Sequence, residues 1–138
     1  MRRLLSVVVS VYNEEEALVQ FYQVTEGILN TISWDYELVF VNDGSRDQSL
    51  SILNPLADSN PKVKVVSFSR NFGHEAAMIA GIDYSQGDGI ICMDADLQHP
   101  PACIPEIIRR FEAGYEVINM VRTKNESAGW FKNMASSA

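Results

Sequence analysis

Cysteine is scarce in this sequence. Cys92 and Cys103 are the only two in 138 residues, one inside an apolar run and one just past Pro100-Pro101. Neither a disulfide framework nor a thiolate metal cluster can be built from them, and buried reduced thiols are expected. Basic residues are outnumbered, 11 Lys and Arg against 18 Asp and Glu, with Arg2-Arg3 as the longest basic feature. A formal charge of −7 argues against nucleic acid as the main partner, because phosphate binding draws on clustered cations. The surplus of carboxylates does suit a divalent cation wherever several converge. No apolar run reaches the ~20 residues that span a bilayer. Leu4 to Val9 follows Arg2-Arg3 as a signal peptide would, but Asn13-Glu14-Glu15-Glu16 halts the run and no small-residue cleavage site follows. The run reads as a buried strand, and the chain as given is expected to be soluble. Two nucleotide signatures are missing as well. There is no Gly-x-Gly-x-x-Gly after the first strand and no Gly-x-x-x-x-Gly-Lys-Ser/Thr anywhere, which leaves dinucleotide cofactors and P-loop chemistry unsupported.

What is present is the make-up of one globular domain, 46% apolar and 21% charged, long enough to bury a core. Apolar β-branched runs alternate with helix-periodic stretches, which predicts an α/β fold with a mostly parallel sheet and helices on both faces. Strands are expected at Leu4 to Val11, Tyr36 to Val41, Val63 to Phe68, Gly89 to Met93 and Glu116 to Val121. Helices are expected at Glu14 to Thr31, Asp47 to Ala57, Gly73 to Ser85, and from Pro100-Pro101 to near Gly114. The tail, Glu126 to Ala138, sets Trp130, Phe131 and Met134 on one side of a further amphipathic helix.

In such a sheet, ligands bind beyond the carboxyl ends of the strands. Four successive strand ends here are polar: Tyr12-Asn13-Glu14-Glu15, Asn42-Asp43-Gly44-Ser45-Arg46-Asp47, Ser69-Arg70-Asn71-Phe72-Gly73-His74 and Asp94-Ala95-Asp96-Leu97-Gln98-His99. Each alone is a weak signal, and the set is a strong one. Asp94 and Asp96 point the same way if strand alternation persists. Two carboxylates so close favour a bound cation, and with the Gln98 amide they make hard oxygen ligands suited to Mg²⁺ or Mn²⁺. The alternative for the pair is a helix N-cap or a solvated turn. Asp43 reads either as an Asx turn or as a carboxylate recognising a base or ribose. Arg70 reads either as a phosphate clamp or as the partner of a surface acid. His74-Glu75-Ala76-Ala77-Met78 lacks the second histidine of a zinc-protease motif; His74 reads either as a helix cap or as a residue approaching substrate, and His99 as a neighbour of the metal ligands, with a structural role favoured for each.

Four blocks resemble a known family, the inverting glycosyltransferases of family 2 with the Rossmann-like GT-A fold. They are Val7-Val8-Val9-Ser10-Val11-Tyr12-Asn13-Glu14-Glu15, Val41-Asn42-Asp43-Gly44-Ser45-Arg46-Asp47, Ser69-Arg70-Asn71-Phe72-Gly73-His74-Glu75-Ala76-Ala77 and Met93-Asp94-Ala95-Asp96-Leu97-Gln98-His99-Pro100-Pro101. The last two are closer to the dolichyl- and bactoprenyl-phosphate sugar transferases than to the family at large. The resemblance implies one nucleotide-sugar-binding domain over residues 1–138. Within it, Ser10, Tyr12, Asn13, Glu14, Asp43, Arg70, Asn71, Gly73, Asp94, Ala95 and Asp96 face the donor. Asp94 and Asp96 are the catalytic pair, and with Gln98 they hold Mg²⁺ or Mn²⁺. It further implies transfer of a sugar, with inversion, from a UDP-sugar such as UDP-glucose to a polyprenyl phosphate at the cytoplasmic face of a membrane, as in cell-wall or O-antigen assembly. A GDP-mannose donor, a saccharide acceptor and a homo-oligomer stay open. Ser10 stands where the family pattern usually has Pro. The acceptor region and C-terminal membrane helices of the family are expected beyond Arg122-Thr123-Lys124, leaving this chain with little activity of its own. Two readings of other classes compete. A binding-only regulatory module has less need of Asp94, Asp96 and Gln98 together, and a nucleotidyltransferase would carry a Gly-rich basic loop where Tyr12-Asn13-Glu14-Glu15 stands.

Overall fold

The computed structural model describes residues 3–95 and 101–113, together with the backbone of two strands at 115–120 and 131–136. The elements run β1 (Leu4–Val11), α1 (Leu18–Leu29), β2 (Asp35–Asn42), α2 (Ser49–Ser59), β3 (Val63–Ser67), α3 (His74–Tyr84), β4 (Gly89–Asp94), α4 (Ile104–Glu112), β5 (Tyr115–Met120) and β6 (Phe131–Ser136). A short 3-10 turn, Pro101–Cys103, leads into α4. The strands form one sheet in the order β3-β2-β1-β4-β5-β6. The first five are parallel, and β6 runs antiparallel to β5. The chain winds outward from β1 to β2 and β3, then returns to place β4 on the other side of β1. That reversal opens a crevice at the carboxyl ends of β1 and β4, where Ser10 and Asp94 are register partners.

The five expected strands and four expected helices are found within a few residues of their predicted limits. The tail is a correction. Phe131–Ser136 is a strand, not a helix, and Trp130 lies outside the described residues. Pairing with β5 satisfies backbone groups that would otherwise stand open at a sheet edge, a long-range interaction that a local periodicity does not carry.

Strand alternation divides the sheet into two unlike faces. Leu5, Val7, Val9, Val11, Leu38, Phe40, Ile91 and Met93 turn to the face covered by α1, α2 and α4, where Phe21 meets Phe40 edge-on at 6.3 Å. This is the larger core, and Phe21, Phe40 and Leu38 are fully buried in it. The opposite face is covered by α3, and its apolar cluster is Val8, Val39, Val41 and Ala77. Helix α3 lies close to the strands because Gly81 has no side chain. A Cβ there would overlap Val8, so the helix-weakening glycine is exchanged for close packing.

Along this α3 face the residues change character from one end to the other. At the amino ends of the strands, Ser6 and Glu37 are register partners, and the Ser6 hydroxyl donates to Glu37 Oε2 at 2.6 Å. Gln86 N–H donates to the same oxygen at 2.7 Å, and Gly87 N–H donates to Ser6 Oγ at 2.8 Å. A buried carboxylate is tolerable only when hydrogen-bonded, and here its donors come from the segment that follows α3. The middle of the face is apolar. The far end, at Ser10 and Asp94, is polar again and belongs to the crevice.

Candidate functional site

The first two strand-end loops are laced together by side chain to backbone hydrogen bonds. Asn13 takes a left-handed conformation with φ 54°, which asparagine tolerates better than most residues. In that turn Asn13 N–H donates to Ser45 Oγ at 3.0 Å, Glu14 N–H to Ser49 Oγ at 2.9 Å, and Glu15 N–H to Asp47 Oδ2 at 3.1 Å. In return Asn13 Oδ1 accepts from Arg46 N–H at 2.8 Å. Asp47 also accepts from Ser49 N–H at 2.9 Å. Desolvation alone would raise the Asp47 pKa, but the hydrogen bonds from Ser49 and Glu15 prevail and leave it below the ordinary carboxylate value. Ser45, Asp47 and Ser49 therefore hold the loop that carries Tyr12. Sequence reading missed this role for Ser45 and Ser49, and its signal was the density of short polar residues in Asn42-Asp43-Gly44-Ser45-Arg46-Asp47-Gln48-Ser49.

The third loop docks on Asp43. This residue is 3% exposed, and both carboxylate oxygens are engaged. Oδ1 accepts from Phe72 N–H at 2.7 Å, and Oδ2 accepts from Gly73 N–H and Asn71 Nδ2, each at 3.1 Å. Asn71 Nδ2 also reaches the Asp43 carbonyl at 3.2 Å. The contact is backbone on backbone at Gly44, which has φ 67° and where a Cβ would overlap Arg70 and Asn71. Beyond it, the Arg70 guanidinium lies over the Phe72 ring at 4.6 Å, and Phe72 meets Phe68 edge-on at 5.5 Å.

The fourth strand end closes the group. His74 Nε2 is 2.8 Å from Asp94 Oδ1, and the Ser10 hydroxyl donates to the same oxygen at 3.3 Å. The Asp94 side chain is 38% exposed, so it faces the crevice while one oxygen is held. Ser10, Tyr12, Asp43, Asn71, Gly73 and His74 line a cavity of about 220 Å³. A neighbouring cavity of about 290 Å³ has Tyr12, Gly44, Ser45, Arg46, Arg70 and Asn71 in its wall. Tyr12, itself 43% exposed, is shared by both.

The sequence-predicted residues thus fall into five sets. Ser10, Tyr12, Asp43, Asn71 and Gly73 share one cavity, and Asp94 joins them through Ser10 and His74. Arg70 belongs to the second cavity. Asn13 and Glu14 line a separate acidic hollow of about 360 Å³ with Glu15, Glu16 and Asp47, so the structure does not bring their side chains to the Ser10–His74 cavity. Ala95 is buried. Asp96, Gln98 and His99 lie outside the described residues. His74 enters the site, whereas a structural role was the favoured of its two readings from the sequence. Its place, directly after a strand-end loop and at the start of a helix, was the available signal. Among the described residues no group of three or more His, Cys, Asp and Glu side chains could hold a metal ion, and Asp94 is the one proposed ligand that is placed. A half-exposed carboxylate at a strand end is chemically suited to a hard cation. No helix among the described residues is long and apolar enough to cross a membrane.

Comparison with known proteins bears on the family and the fold. The model of a family described as "Glycosyl transferase family 2" matches residues 6–138. The chain is 46% identical over 132 residues to the uncharacterized glycosyltransferase YkcC of Bacillus subtilis, covering 96% of this chain and 41% of that protein. It is 43% identical over 135 residues to the prophage bactoprenol glucosyl transferase homolog of Escherichia coli, covering 92% and 44%. The chain therefore spans less than half the length of these relatives. Among solved structures, S. aureus TarS in complex with UDP-GlcNAc superposes with TM-score 0.62 at 21% identity, over 82% of this chain and 30% of that one. The Pyrobaculum calidifontis mannosyltransferase PcManGT in complex with GDP-Man and Mn²⁺ gives TM-score 0.61 at 21% identity, over 70% and 28%. These likenesses show the fold, which is that of the GT-A glycosyltransferases. With the family matched over nearly its whole length, the chain belongs to glycosyl transferase family 2.

Proposed function

We propose that this chain forms the donor-binding part of an enzyme that moves a sugar, glucose from UDP-glucose, to a polyprenyl phosphate with inversion at the anomeric carbon. The observation that carries the reading is the convergence of Ser10, Tyr12, Asn71 and His74 with Asp94 at the strand-order reversal, where open α/β sheets bind nucleotides. The polyprenyl phosphate acceptor is supported by relatives named as a bactoprenol glucosyl transferase and a homolog of one.

Each residue has a chemical task in this reading. Tyr12 offers its ring as a stacking surface for the base. Asn71 and the Asp43-bound loop shape the nucleoside wall, and Arg70 is within reach of the second cavity for charge-assisted contact to a phosphate. Asp94, with Asp96 and Gln98 after it in sequence, would hold Mg²⁺ or Mn²⁺, in keeping with the Mn²⁺ found with PcManGT. When bound, that ion neutralises charge developing on the departing nucleoside diphosphate. A phosphate acceptor is ionised at neutral pH, so it needs less help from a general base than a sugar hydroxyl would. A lipid-borne acceptor and a nucleotide-sugar donor together place the reaction at the cytoplasmic face of a membrane.

The test is calorimetric titration of UDP-glucose and GDP-mannose, with and without Mn²⁺, into this chain and into Asp96→Asn. Metal-dependent binding that favours UDP-glucose and is lost in the variant is expected. Equal, metal-indifferent binding by both proteins would overturn the reading.

A further inference from the structure

We propose that the sheet face beside α3 is the seat of one helix supplied by the part of the enzyme outside this chain, an amphipathic helix whose apolar stripe has a basic rim. The proposal rests on the reading that this chain is the donor-binding part of a larger enzyme. Its relatives in Bacillus subtilis and Escherichia coli are matched over only 41% and 44% of their length, so more than half of each lies outside the part compared.

Helix α3 is inverted with respect to a helix that ends at solvent. Its small residues, Ala77 and Gly81, are the ones buried against the sheet. Its larger apolar residues stand outside, Ile79 at 61% and Ile82 at 41% exposed. A surface helix carries polar residues opposite the core, and a helix apolar on all sides is a buried one. The strands beside α3 show the same want of cover. Parallel sheets are covered on both faces, and on the opposite face α1, α2 and α4 do this. Among the described residues α3 alone covers its own face, lying over β1 and β2. On β4, Gly89, Ile91 and Met93 are therefore buried, while Ile90 and Cys92, which turn to the α3 side, are only partly so.

The open strip has the dimensions of one helix. His74 meets Asp94 at the carboxyl end of β4, so the line His74, Met78, Ile82, spaced by four, follows the β4 flank of α3. Four helical residues rise about 6 Å and two strand residues about 6.6 Å, which sets Met78 level with Cys92 and Ile82 level with Ile90. Met78, Ile90 and Cys92 pack at the edge of the Val8 cluster. From there β4, β5 and β6 continue the sheet. Three strand spacings of about 4.8 Å give roughly 14 Å, enough for one helix about 10 Å across. Charge selects the rim of that helix. Glu75 and Asp83 are exposed, one turn to either side of Ile79. A second copy seated on the same patch would bring these acids against their equivalents across a two-fold axis, and an anionic membrane surface would repel them. Lys and Arg beside an apolar stripe complement them.

The test is made on the full-length enzyme, its native cysteines, Cys92 and Cys103 among them, replaced by Ala. One cysteine is then introduced by Ile79→Cys, by Ile82→Cys or, as a control, by Val19→Cys on α1, where the native side chain is 48% exposed. Iodoacetamide should alkylate the first two about tenfold or more slowly than the control, the ratio that one buried Ile side chain is worth. With the photoreactive benzoylphenylalanine in place of Ile79, and isotopically heavy and light protein mixed, irradiation should join position 79 to a Lys- or Arg-bearing peptide of the same molecule from outside this chain. Glu75→Lys with Asp83→Lys should speed alkylation of Ile79→Cys by about two- to thirtyfold, the worth of two exposed ion pairs. Alkylation of both α3 cysteines as fast as the control, a cross-link between heavy and light molecules, or a cross-link to lipid overturns the proposal, and an unchanged rate after charge reversal overturns the basic rim. Binding of UDP with Mn²⁺ is measured on the same samples. Its absence beside protected α3 cysteines overturns the donor-site reading and leaves the seat standing, and its presence beside unprotected ones does the reverse.

Discussion

At the amino end of β2, Glu37 accepts from Gln86 N–H, which follows α3. Just past the carboxyl end of the same strand, Asp43 accepts from Phe72 and Gly73 N–H, which precede α3. The helix is held at both ends by a carboxylate on one strand, yet the surroundings differ. Glu37 is closed in by Ser6 and the turn through Gly87, and none of the cavities described above is lined by these residues. Asp43 lines a cavity of about 220 Å³ beside Tyr12 and His74. The same fastening contributes to stability at one end and to the geometry of a site at the other.

The largest expected effect lies at the closed end. Glu37→Ala strands the Gln86 N–H and the Ser6 hydroxyl, and a buried donor left without its acceptor costs about 1–3 kcal/mol, here at two groups at once. Urea unfolding should show that loss, while UDP binding by the folded protein changes by less than about threefold, well under the ten- to hundredfold scale expected of metal-site partners. A collapse of UDP affinity at unchanged stability would erase the distinction between the ends. Gly81→Ala comes next. The new methyl group overlaps Val8, and overpacking of this kind costs about 1–3 kcal/mol. Because it lifts the helix between its two fastenings, it should lower stability and UDP affinity together, which neither end does alone.

The contrast also explains what the sequence could reveal. The sheet was legible because Leu4 to Val11 and Tyr36 to Val41 are apolar on both faces, and such runs have few other uses. The polar strand ends were legible as a set, since a parallel sheet collects them in one place. The way they divide was not. Asn13 and Glu14 look like neighbours of Tyr12 in a donor pocket, but the turn at Asn13 sends them to a different hollow. Asp43 looks like a free ligand, but its bonds run to residues 28 to 30 positions away. Glu37 gave no signal in an apolar run, because its partners Ser6 and Gln86 are remote in sequence. Tertiary pairing of the same kind made a strand of Phe131–Ser136.

A smaller effect is expected where the first two loops are laced. Ser49 is fully buried, and Ser49→Ala removes the hydroxyl that accepts from Glu14 N–H, a loss of about 1–3 kcal/mol. The shift should fall toward the lower figure if water enters the acidic hollow nearby, and denaturant melts would measure it. The neighbouring Asp47 has a depressed pKa in the folded state. Its contribution is fully present above the unfolded carboxylate value and is lost as pH falls through the lower folded value. Carboxyl chemical shifts followed by NMR should give an Asp47 midpoint below that of an unfolded chain, and Ser49→Ala should move it upward.

The smallest effect reports on the middle of α3. Cys92 pairs in register with Val8 and packs against the Val39–Ala77 cluster, and burial pushes its thiol up to about 11. The folded protein keeps this proton over a range where an unfolded thiol, with a value near about 8.5, has already lost it. Stability from this group is therefore complete below the unfolded value and declines as pH rises from there toward 11. Cys92→Ala should flatten that part of the stability profile. With Cys103 replaced by Ala, alkylation of Cys92 at neutral pH should be slow, since the thiolate is the reacting form. It should quicken more in Glu37→Ala, which loosens the helix globally, than in Asp43→Asn, which frees only the loop before it. Equal acceleration by both variants would mean that the two fastenings hold α3 in the same way, and that the division between a stabilising end and a site-forming end lies in the cavity alone.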